Sequence, residues 1–187
     1  MKTIGVLALQ GAFREHRLMM EKCGAKTVEI KKPEHLNKCT GLIIPGGEST
    51  TIWKLLEEWD IATAIRKRAV EGMPIFGTCA GMILLAKKII GSEQSSLRLM
   101  DIEVARNAYG RQINSFEVDL SIKGLGEPFR AVFIRAPYVT DAGENVEVLC
   151  KHEDKVVMVK QDNLLACSFH PELTDDLRVH EFFLQMV

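Results

Sequence analysis

The sequence predicts an α/β fold in which helices cover a mostly parallel central sheet and the second half of the chain is β-rich. Over the first half, short apolar runs alternate with amphipathic segments, which is typical of a parallel sheet covered on both faces. After about Gly91, strand-like runs are joined by turn-sized polar links. With 187 residues, 47% of them hydrophobic, the chain is expected to form a single domain over residues 1–187.

The first half carries alternating strand and helix signals. Continuous apolar runs predict buried strands over residues 3–9, 42–44 and 74–76, and a further short strand is expected over residues 26–30. Helical spacing of apolar residues predicts helices over residues 13–22, through 53–59, and over 61–70 and 82–88, with a turn or single helical turn at 33–38. This order of elements indicates successive strand–helix units of a parallel sheet.

The second half carries mainly strand signals. Strands are expected over residues 102–105, 115–122, 131–134, 146–149, 156–159 and 164–169. Residues 175–186 return to helical spacing, so a last helix is expected to pack back on the sheet. The abrupt end at Val187 is consistent with a few further residues beyond it.

Composition excludes several function classes. A net charge of −1 with interspersed charges gives no sign of a nucleic-acid partner, and no apolar run is long enough for a membrane span or a signal peptide. Five irregularly spaced cysteines without a Cys-x-x-Cys pair indicate reduced thiols in the cytoplasm. A P-loop lysine and the third glycine of a dinucleotide fingerprint are both missing, so no cofactor is expected.

A cysteine between two glycines follows the strand expected at residues 74–76. The pattern Gly77-x-Cys79-x-Gly81, between a strand-like and a helix-like run, matches the cysteine version of a nucleophile elbow. Cys79 would then lie at a helix N-terminus, which favours the thiolate. The alternative is a buried structural cysteine in a glycine-rich turn.

Polar loops follow three of the expected parallel strands. These loops contain Gln10, the segment Pro45-Gly46-Gly47-Glu48-Ser49 and the elbow, and they would meet at the carboxyl edge of the sheet. The Gly46-Gly47 backbone and the N–H of Ala80 are candidate oxyanion donors. Helix capping alone is the alternative explanation for the glycine and serine residues.

One histidine stands apart from the others. His170 follows an apolar strand, and Pro171 limits the backbone between it and Glu172, so Glu172 can accept from one imidazole nitrogen while the other faces Cys79. The downstream Pro-Cys-x-x-Cys of zinc deaminases is absent, so no metal site is expected. The remaining histidines are expected to be solvated or structural: His16, His35, His152 and His180.

Several motifs occur in a fixed order along essentially the whole chain. They are Ala8-Leu9-Gln10-Gly11, Pro45-Gly46-Gly47-Glu48-Ser49-Thr50, Gly77-Thr78-Cys79-Ala80-Gly81, Ala105-Arg106-Asn107-Ala108-Tyr109-Gly110-Arg111-Gln112, Ile134-Arg135-Ala136-Pro137 and Ser168-Phe169-His170-Pro171-Glu172-Leu173. This set resembles the class I, triad-type glutamine amidotransferases, and within them the glutaminase subunits of pyridoxal 5'-phosphate synthases.

The resemblance implies a flavodoxin-like three-layer sandwich that hydrolyses L-glutamine to L-glutamate and ammonia. It implies a triad in which Cys79 forms a γ-glutamyl thioester, His170 protonates the leaving ammonia and activates water, and Glu172 orients His170. Carried over likewise, the oxyanion site and its surroundings comprise Gln10, Gly46, Gly47 and Ala80. The implied substrate-binding residues are Gly47, Glu48, Ser49, Arg106, Ile134 and Arg135.

Read from the residues alone, an intrachain salt bridge in the β-rich half is the favoured role for Arg106 and Arg135, although an arginine is also well suited to bind a carboxylate by paired hydrogen bonds.

The resemblance also implies a partner. Ammonia would pass to a (β/α)₈-barrel synthase subunit in a large hetero-oligomer, and the glutaminase alone would be slow. Two other hypotheses stay open on the residues alone. One is another cysteine hydrolase, such as a peptidase or γ-glutamyl hydrolase, and the other is a catalytically idle binding module.

Overall fold

The first half of the chain forms the parallel part of the sheet. The computed structural model describes residues 1–110 and 115–187. The strands are β1 (Thr3–Leu7), β2 (Lys26–Ile30), β3 (Gly41–Ile44) and β4 (Ile75–Thr78). The helices are α1 (Phe13–Lys22), a 3₁₀ helix (Pro33–Lys38), α2 (Ser49–Glu58) and α3 (Ile61–Val70). β1 pairs in parallel with β2 and β3, and β3 pairs in parallel with β4.

The second half extends the sheet with antiparallel strands. Its elements are α4 (Ala80–Leu85), β5 (Ala86–Ile89), β6 (Met100–Ala105), β7 (Ser115–Leu120), β8 (Phe129–Ile134), β9 (Tyr138–Ala142), β10 (Glu147–His152), β11 (Lys155–Gln161), β12 (Leu164–Cys167), a 3₁₀ helix (Pro171–Leu173) and α5 (Arg178–Met186). β12 pairs in parallel with β4, and β11 pairs antiparallel with β12, β9 and β10. β9 pairs antiparallel with β6, which is parallel to β5, while β7 and β8 form a separate hairpin.

Each face of the sheet is buried under its own core. Successive side chains of a strand point to opposite faces, and in β3 the side chains of Leu42 and Ile44 join one core while Ile43 joins the other. The first core takes its helical residues from α2, α3 and α4, and the second from α1 and α5, with the β7–β8 hairpin contributing Phe129 and Phe133. The predicted α/β fold, with a mostly parallel sheet between covering layers and a β-rich second half, is confirmed.

One predicted element is wrong. Residues 82–88 were expected to be helical, but α4 ends at Leu85 and residues 86–89 form β5, which pairs with β6. A register shift between Ala86 and Lys88 lets Ala86 and Ile89 both be buried. Two buried apolar residues three positions apart imitate the spacing of a helix.

Strand β9 was not expected from the sequence, because its residues show no strand pattern. Only Val139 of its residues is buried, and Thr140 and Asp141 are exposed, so no alternating apolar pattern marks the strand. Residues Arg111 and Gln112, which belong to one of the quoted motifs, lie outside the described residues. Within the described ranges, no helix has the length and apolar character that a membrane span requires.

Candidate active site

Cys79 occupies a sharp turn between β4 and α4. Its backbone has φ of 51° and ψ of −106°, and positive φ is uncommon for a residue other than glycine. The Cys79 N–H donates to the Cys167 carbonyl at 2.8 Å, which ties the turn to the end of β12. A Cβ at Gly81 would lie 2.0 Å from the Ile44 carbonyl oxygen, so the turn fits against β3 only if Gly81 has no side chain. The elbow predicted around Cys79 is therefore present, with a helix of only six residues after it.

His170 follows β12 and faces Glu172 across a single turn. Its backbone N–H donates to the Val132 carbonyl at 2.8 Å, and Pro171 begins a 3₁₀ helix that holds the next residues. The His170 Nδ1 atom is 2.7 Å from Glu172 Oε1, and the two residues are 8% and 5% exposed. Because Nδ1 is engaged by the carboxylate, Nε2 is the nitrogen left for other chemistry.

Gly46 is the point at which three loops touch. A Cβ at Gly46 would lie 2.6 Å from His170 Cε1 and 3.3 Å from Cys79 Cβ. Those distances mean that the imidazole and the cysteine are both packed directly against the Gly46 backbone. The structure therefore brings together Cys79, His170 and Glu172, which the sequence placed in the triad.

The environment of His170 favours its protonated form. Burial acts to lower the pKa of His170, but its interactions with Cys79 and Glu172 outweigh burial and raise that pKa to about 10. For Glu172, burial acts to raise the pKa, and interactions with His16 and His170 outweigh burial and hold the pKa below its usual range. The pair therefore consists of a carboxylate and an imidazole that holds its proton strongly.

The loop expected to supply oxyanion donors is held by Gln10. The Gln10 Oε1 atom accepts a hydrogen bond from the Glu48 N–H at 2.8 Å, and a Cβ at Gly47 would lie 2.3 Å from the same oxygen. Ala80 is the first residue of α4, and the first N–H groups of a helix have no partner within it. Gly47 and Ala80 both line the cavity that contains Cys79.

A cavity of about 430 Å³ opens beside Cys79 and His170. All the residues implied for substrate binding line it: Gly47, Glu48, Ser49, Arg106, Ile134 and Arg135. The Cys79 thiol donates to the Ile134 carbonyl at 3.8 Å. Within the described residues, neither Arg106 nor Arg135 forms a salt bridge with a carboxylate. The intrachain salt bridge considered for these two arginines is therefore not found there.

The carboxylate of Glu48 has a second role at the start of α2. It accepts hydrogen bonds from the N–H groups of Thr50 and Thr51 at 3.3 and 2.8 Å. Hydrogen bonding, first from the Thr50 side chain, lowers the pKa of Glu48 to about 2. Glu48 is thus the N-cap of α2, and its negatively charged carboxylate interacts with the N–H groups at the N-terminus of that helix.

Sequence reasoning missed several neighbours of the cavity. Gln94 Oε1 accepts a hydrogen bond from Ser49 Oγ at 3.2 Å and another from the Arg106 guanidinium, so it links two of the implied substrate-binding residues. Ile83 and Asn107 also line the cavity. No motif marks Gln94, because it lies 45 residues from Ser49 along the chain and in a loop of polar residues.

The structure buries His16 and His180, expected to be solvated or structural, in the core, with His16 close to Glu172 and His180 beside His16. His35 and His152 are partly exposed. Among the described residues, no group of three or more His, Cys, Asp or Glu side chains could hold a metal ion.

Comparison with solved structures defines the class of the fold. A chain described as a crystal structure of glutamine amidotransferase matches with a TM-score of 0.94 at 52% sequence identity, covering 98% of this chain and 97% of that chain. The fold is thus that of a glutamine amidotransferase-like α/β protein.

Comparison with sequences gives the family. The model of the SNO glutamine amidotransferase family matches residues 6–187. The pyridoxal 5'-phosphate synthase subunit PdxT of Carboxydothermus hydrogenoformans is 57% identical over 185 residues, which cover 98% of this chain and 97% of the relative. The PdxT subunit of Pelotomaculum thermopropionicum is 59% identical over 183 residues, covering 97% and 93%. The chain belongs to the SNO glutamine amidotransferase family, and the family resemblance read from the motifs is confirmed.

The raised pKa of His170 predicts a specific titration. In NMR spectra of the histidine rings, His170 should titrate with a midpoint near 10, and the midpoint should fall in Glu172→Gln because the carboxylate charge is lost. The stabilisation of the folded chain by protonated His170 is therefore complete when the pH is below about 6.5, the pKa of a histidine in the unfolded chain. This stabilisation should be lost as the pH rises through about 10.

The exposed Glu144 provides the matched control for that titration, since Glu144→Gln removes an equal charge outside the cavity. A wild-type midpoint near the ordinary histidine value, or the same midpoint in Glu172→Gln, would contradict the coupling between His170 and Glu172.

Proposed function

We propose that this chain is the glutaminase subunit of a pyridoxal 5'-phosphate synthase, in which Cys79, His170 and Glu172 hydrolyse L-glutamine to L-glutamate and ammonia. The observation that carries the proposal is the packing of Cys79 and His170 against Gly46, with His170 hydrogen-bonded to Glu172. The family match and the PdxT relatives supply the substrate and the pathway.

In the first half of the reaction, Cys79 Sγ attacks the side-chain amide carbon of glutamine. The raised pKa of His170 favours transfer of the thiol proton to the imidazole, which leaves a nucleophilic thiolate. His170 then gives that proton to the departing amide nitrogen, the C–N bond breaks, and ammonia leaves a γ-glutamyl thioester on Cys79. The Glu172 carboxylate holds the imidazole through Nδ1 during both transfers.

In the second half, His170 removes a proton from water, and the resulting hydroxide attacks the thioester. The C–S bond breaks, glutamate is released, and the proton on His170 returns to the Cys79 sulfur. Each tetrahedral intermediate carries an oxyanion, for which the N–H groups of Gly47 and Ala80 are the proposed donors. Gln10 and Gly46 support these donors, because Gln10 holds the loop through the Glu48 N–H and Gly46 forms the floor beneath His170.

The remaining cavity residues are proposed to hold the amino-acid part of glutamine. The guanidinium groups of Arg106 and Arg135 suit a carboxylate, since they can donate paired hydrogen bonds. Ser49 offers a hydroxyl, and Glu48, whose carboxylate is engaged in capping α2, contributes its backbone. Ile134 lines the cavity, and its backbone carbonyl accepts from the Cys79 thiol.

We further infer that residues 1–187 act as one domain and that the chain works in the cytoplasm with a separate synthase subunit. The five cysteines, all within the described residues, are unpaired, which suits a reducing compartment. The name of the relatives, a synthase subunit, supports a partner that uses the ammonia. We infer that this partner is a (β/α)₈ barrel that forms a hetero-oligomer with the chain. We also infer that this subunit uses no cofactor.

Replacement of the nucleophile tests the activity directly. Cys79→Ala should reduce ammonia release from glutamine by at least about 10⁴-fold, since the covalent route is lost. Glutamine binding, followed by calorimetry, should remain. Cys23→Ala is the matched control because Cys23 is partly buried outside the cavity and burial raises its pKa to about 11.

Three outcomes of these assays would contradict the proposed glutaminase activity. A Cys79→Ala chain that still hydrolyses glutamine would rule out the assigned nucleophile. A wild-type chain that cleaves peptides or γ-glutamyl peptides but not glutamine would indicate a different cysteine hydrolase. A wild-type chain that binds glutamine and assembles but cleaves nothing would indicate an idle binding module.

The partner should control the rate. If this subunit is kept slow until it is assembled, addition of the synthase subunit should raise kcat for ammonia release by roughly tenfold or more, within the range of coupling between separate sites. The comparison uses equal concentrations of the chain alone and of the assembled complex. Equal rates in the two samples would contradict the inferred control by the partner.

A further inference from the structure

Two core histidines that the proposed mechanism does not use lie behind Glu172, where His16 contacts the carboxylate and His180 contacts His16. His16 in α1 and His180 in α5 are both completely buried. The His16 Nε2 atom is 3.0 Å from Thr78 Oγ1 and 3.4 Å from Glu172 Oε2, and His16 Nδ1 is 2.9 Å from His180 Nε2. A polar chain therefore runs from His170 through Glu172 and His16 to His180, from the cavity into the core between two helices.

The hydrogen-bond pattern determines which nitrogen of His16 carries the proton. Only one of the two facing nitrogens, His16 Nδ1 and His180 Nε2, can donate in their mutual hydrogen bond. If His16 Nδ1 donated, His180 would carry its proton on Nδ1, which has no hydrogen-bond partner among the described residues. His16 would also turn an unprotonated nitrogen toward the Glu172 carboxylate.

The opposite assignment removes both difficulties. With the proton of each ring on Nε2, His180 donates to His16 Nδ1, and His16 directs its N–H toward Thr78 Oγ1 and Glu172 Oε2. What is then left without a partner is an acceptor nitrogen on His180, which costs less than a buried N–H. His180 thus fixes the tautomer in which His16 faces Glu172 with a hydrogen.

Both histidines are in surroundings that keep them neutral. Burial lowers the pKa of His16, while the charges of Glu172 and Glu15 act to raise it and the charge of His170 acts to lower it. Burial, followed by His16, lowers the pKa of His180 well below its usual range. A neutral His16 offers an N–H dipole to Glu172 without adding a positive charge that would weaken the hold of Glu172 on the proton of His170.

The second carboxylate oxygen of Glu172, Oε2, is the atom that His16 faces. Oε1 is engaged by His170, whereas Oε2 is buried and has no hydrogen-bond partner within the described residues. An ionised carboxylate oxygen in such a place is costly unless a donor lies close to it. The Nε2 atom of His16 lies 3.4 Å from Oε2, so a hydrogen on this nitrogen would face the carboxylate oxygen.

From this geometry, and resting on the proposed function, we propose that His16 is a positioning residue whose Nε2–H, fixed by His180, holds the Glu172 carboxylate in place behind His170. His16 touches neither substrate nor the reacting atoms; it acts through Glu172. Loss of its N–H should let the carboxylate turn or take up a proton, and His170 would lose part of its orientation and of its raised pKa.

A pair of substitutions separates the N–H from the bulk of the side chain. The amide nitrogen of His16→Gln can take the place of Nε2, whereas that of His16→Asn reaches only the place of Nδ1. His16→Asn should lower kcat for ammonia release by roughly tenfold, because the N–H that faces the Glu172 carboxylate is lost, with KM nearly unchanged. His16→Gln should stay within a few-fold of the wild type. The assays use the full chain, alone and with the synthase subunit.

The NMR titration of His170 provides a readout independent of turnover. Its midpoint should fall below the wild-type value of about 10 in His16→Asn and remain close to it in His16→Gln. If both variants lose thermal stability but keep the wild-type kcat and midpoint, His16 is only structural and the proposal is wrong. If the wild-type chain releases no ammonia, the proposed function fails, while the midpoints still decide whether His16 supports the Glu172–His170 pair.

A measurement on the wild-type chain covers the case in which His16→Asn does not fold. Nitrogen-15 chemical shifts of labelled histidine distinguish the two neutral tautomers. Protons on Nε2 of both His16 and His180 near neutral pH support the proposal. A proton on Nδ1 of His16 would overturn it, since the ring would then present no hydrogen to Glu172.

Discussion

A hydrogen bond between two buried groups, His170 Nδ1 and Glu172 Oε1, is the interaction on which the rest of the site depends. An ionised carboxylate that is only 5% exposed costs several kcal/mol unless charge and hydrogen bonds compensate it. The compensation comes from His170 at 2.7 Å, which in turn keeps its proton because the carboxylate is there. Each group makes the charge of the other tolerable, so the pair can be buried only as a pair.

The sheet order explains how this pair meets a cysteine that lies far away in the chain. β4 and β12 are parallel neighbours, with Thr78 opposite Cys167, so the residues that follow both strands emerge at the same edge. β3 lies on the other side of β4 and is followed by Gly46, whose missing side chain leaves room for the imidazole. The antiparallel second half contributes β8, whose last residue accepts from the Cys79 thiol.

Local sequence patterns predicted the parts of the molecule that depend on local chemistry. The apolar runs that form β1, β3 and β4, and the glycines around Cys79, are readable because burial and backbone strain restrict the residue types allowed there. β5 was not readable, because a register shift buries Ala86 and Ile89 at helical spacing.

The surroundings of the site were less predictable for a similar reason. Gln94 and His16 reach their partners only through tertiary folding, across separations of 45 residues to Ser49 and 62 residues to Thr78. A histidine inside a helical pattern gives no local sign that its ring will face a buried carboxylate. Motif resemblance therefore identified the residues proposed to react, whereas the residues that contact and position them, such as Gln94 and His16, could be identified only from the three-dimensional structure.

We propose that glutamine is cleaved through a thioester on Cys79. Acid quenching during turnover, followed by mass spectrometry of the digested chain, measures this intermediate directly. A γ-glutamyl adduct is expected on the peptide that contains Cys79, formed from glutamine and absent when Cys79→Ala is used. Steady release of ammonia without any adduct, or an adduct on a different cysteine, would contradict it.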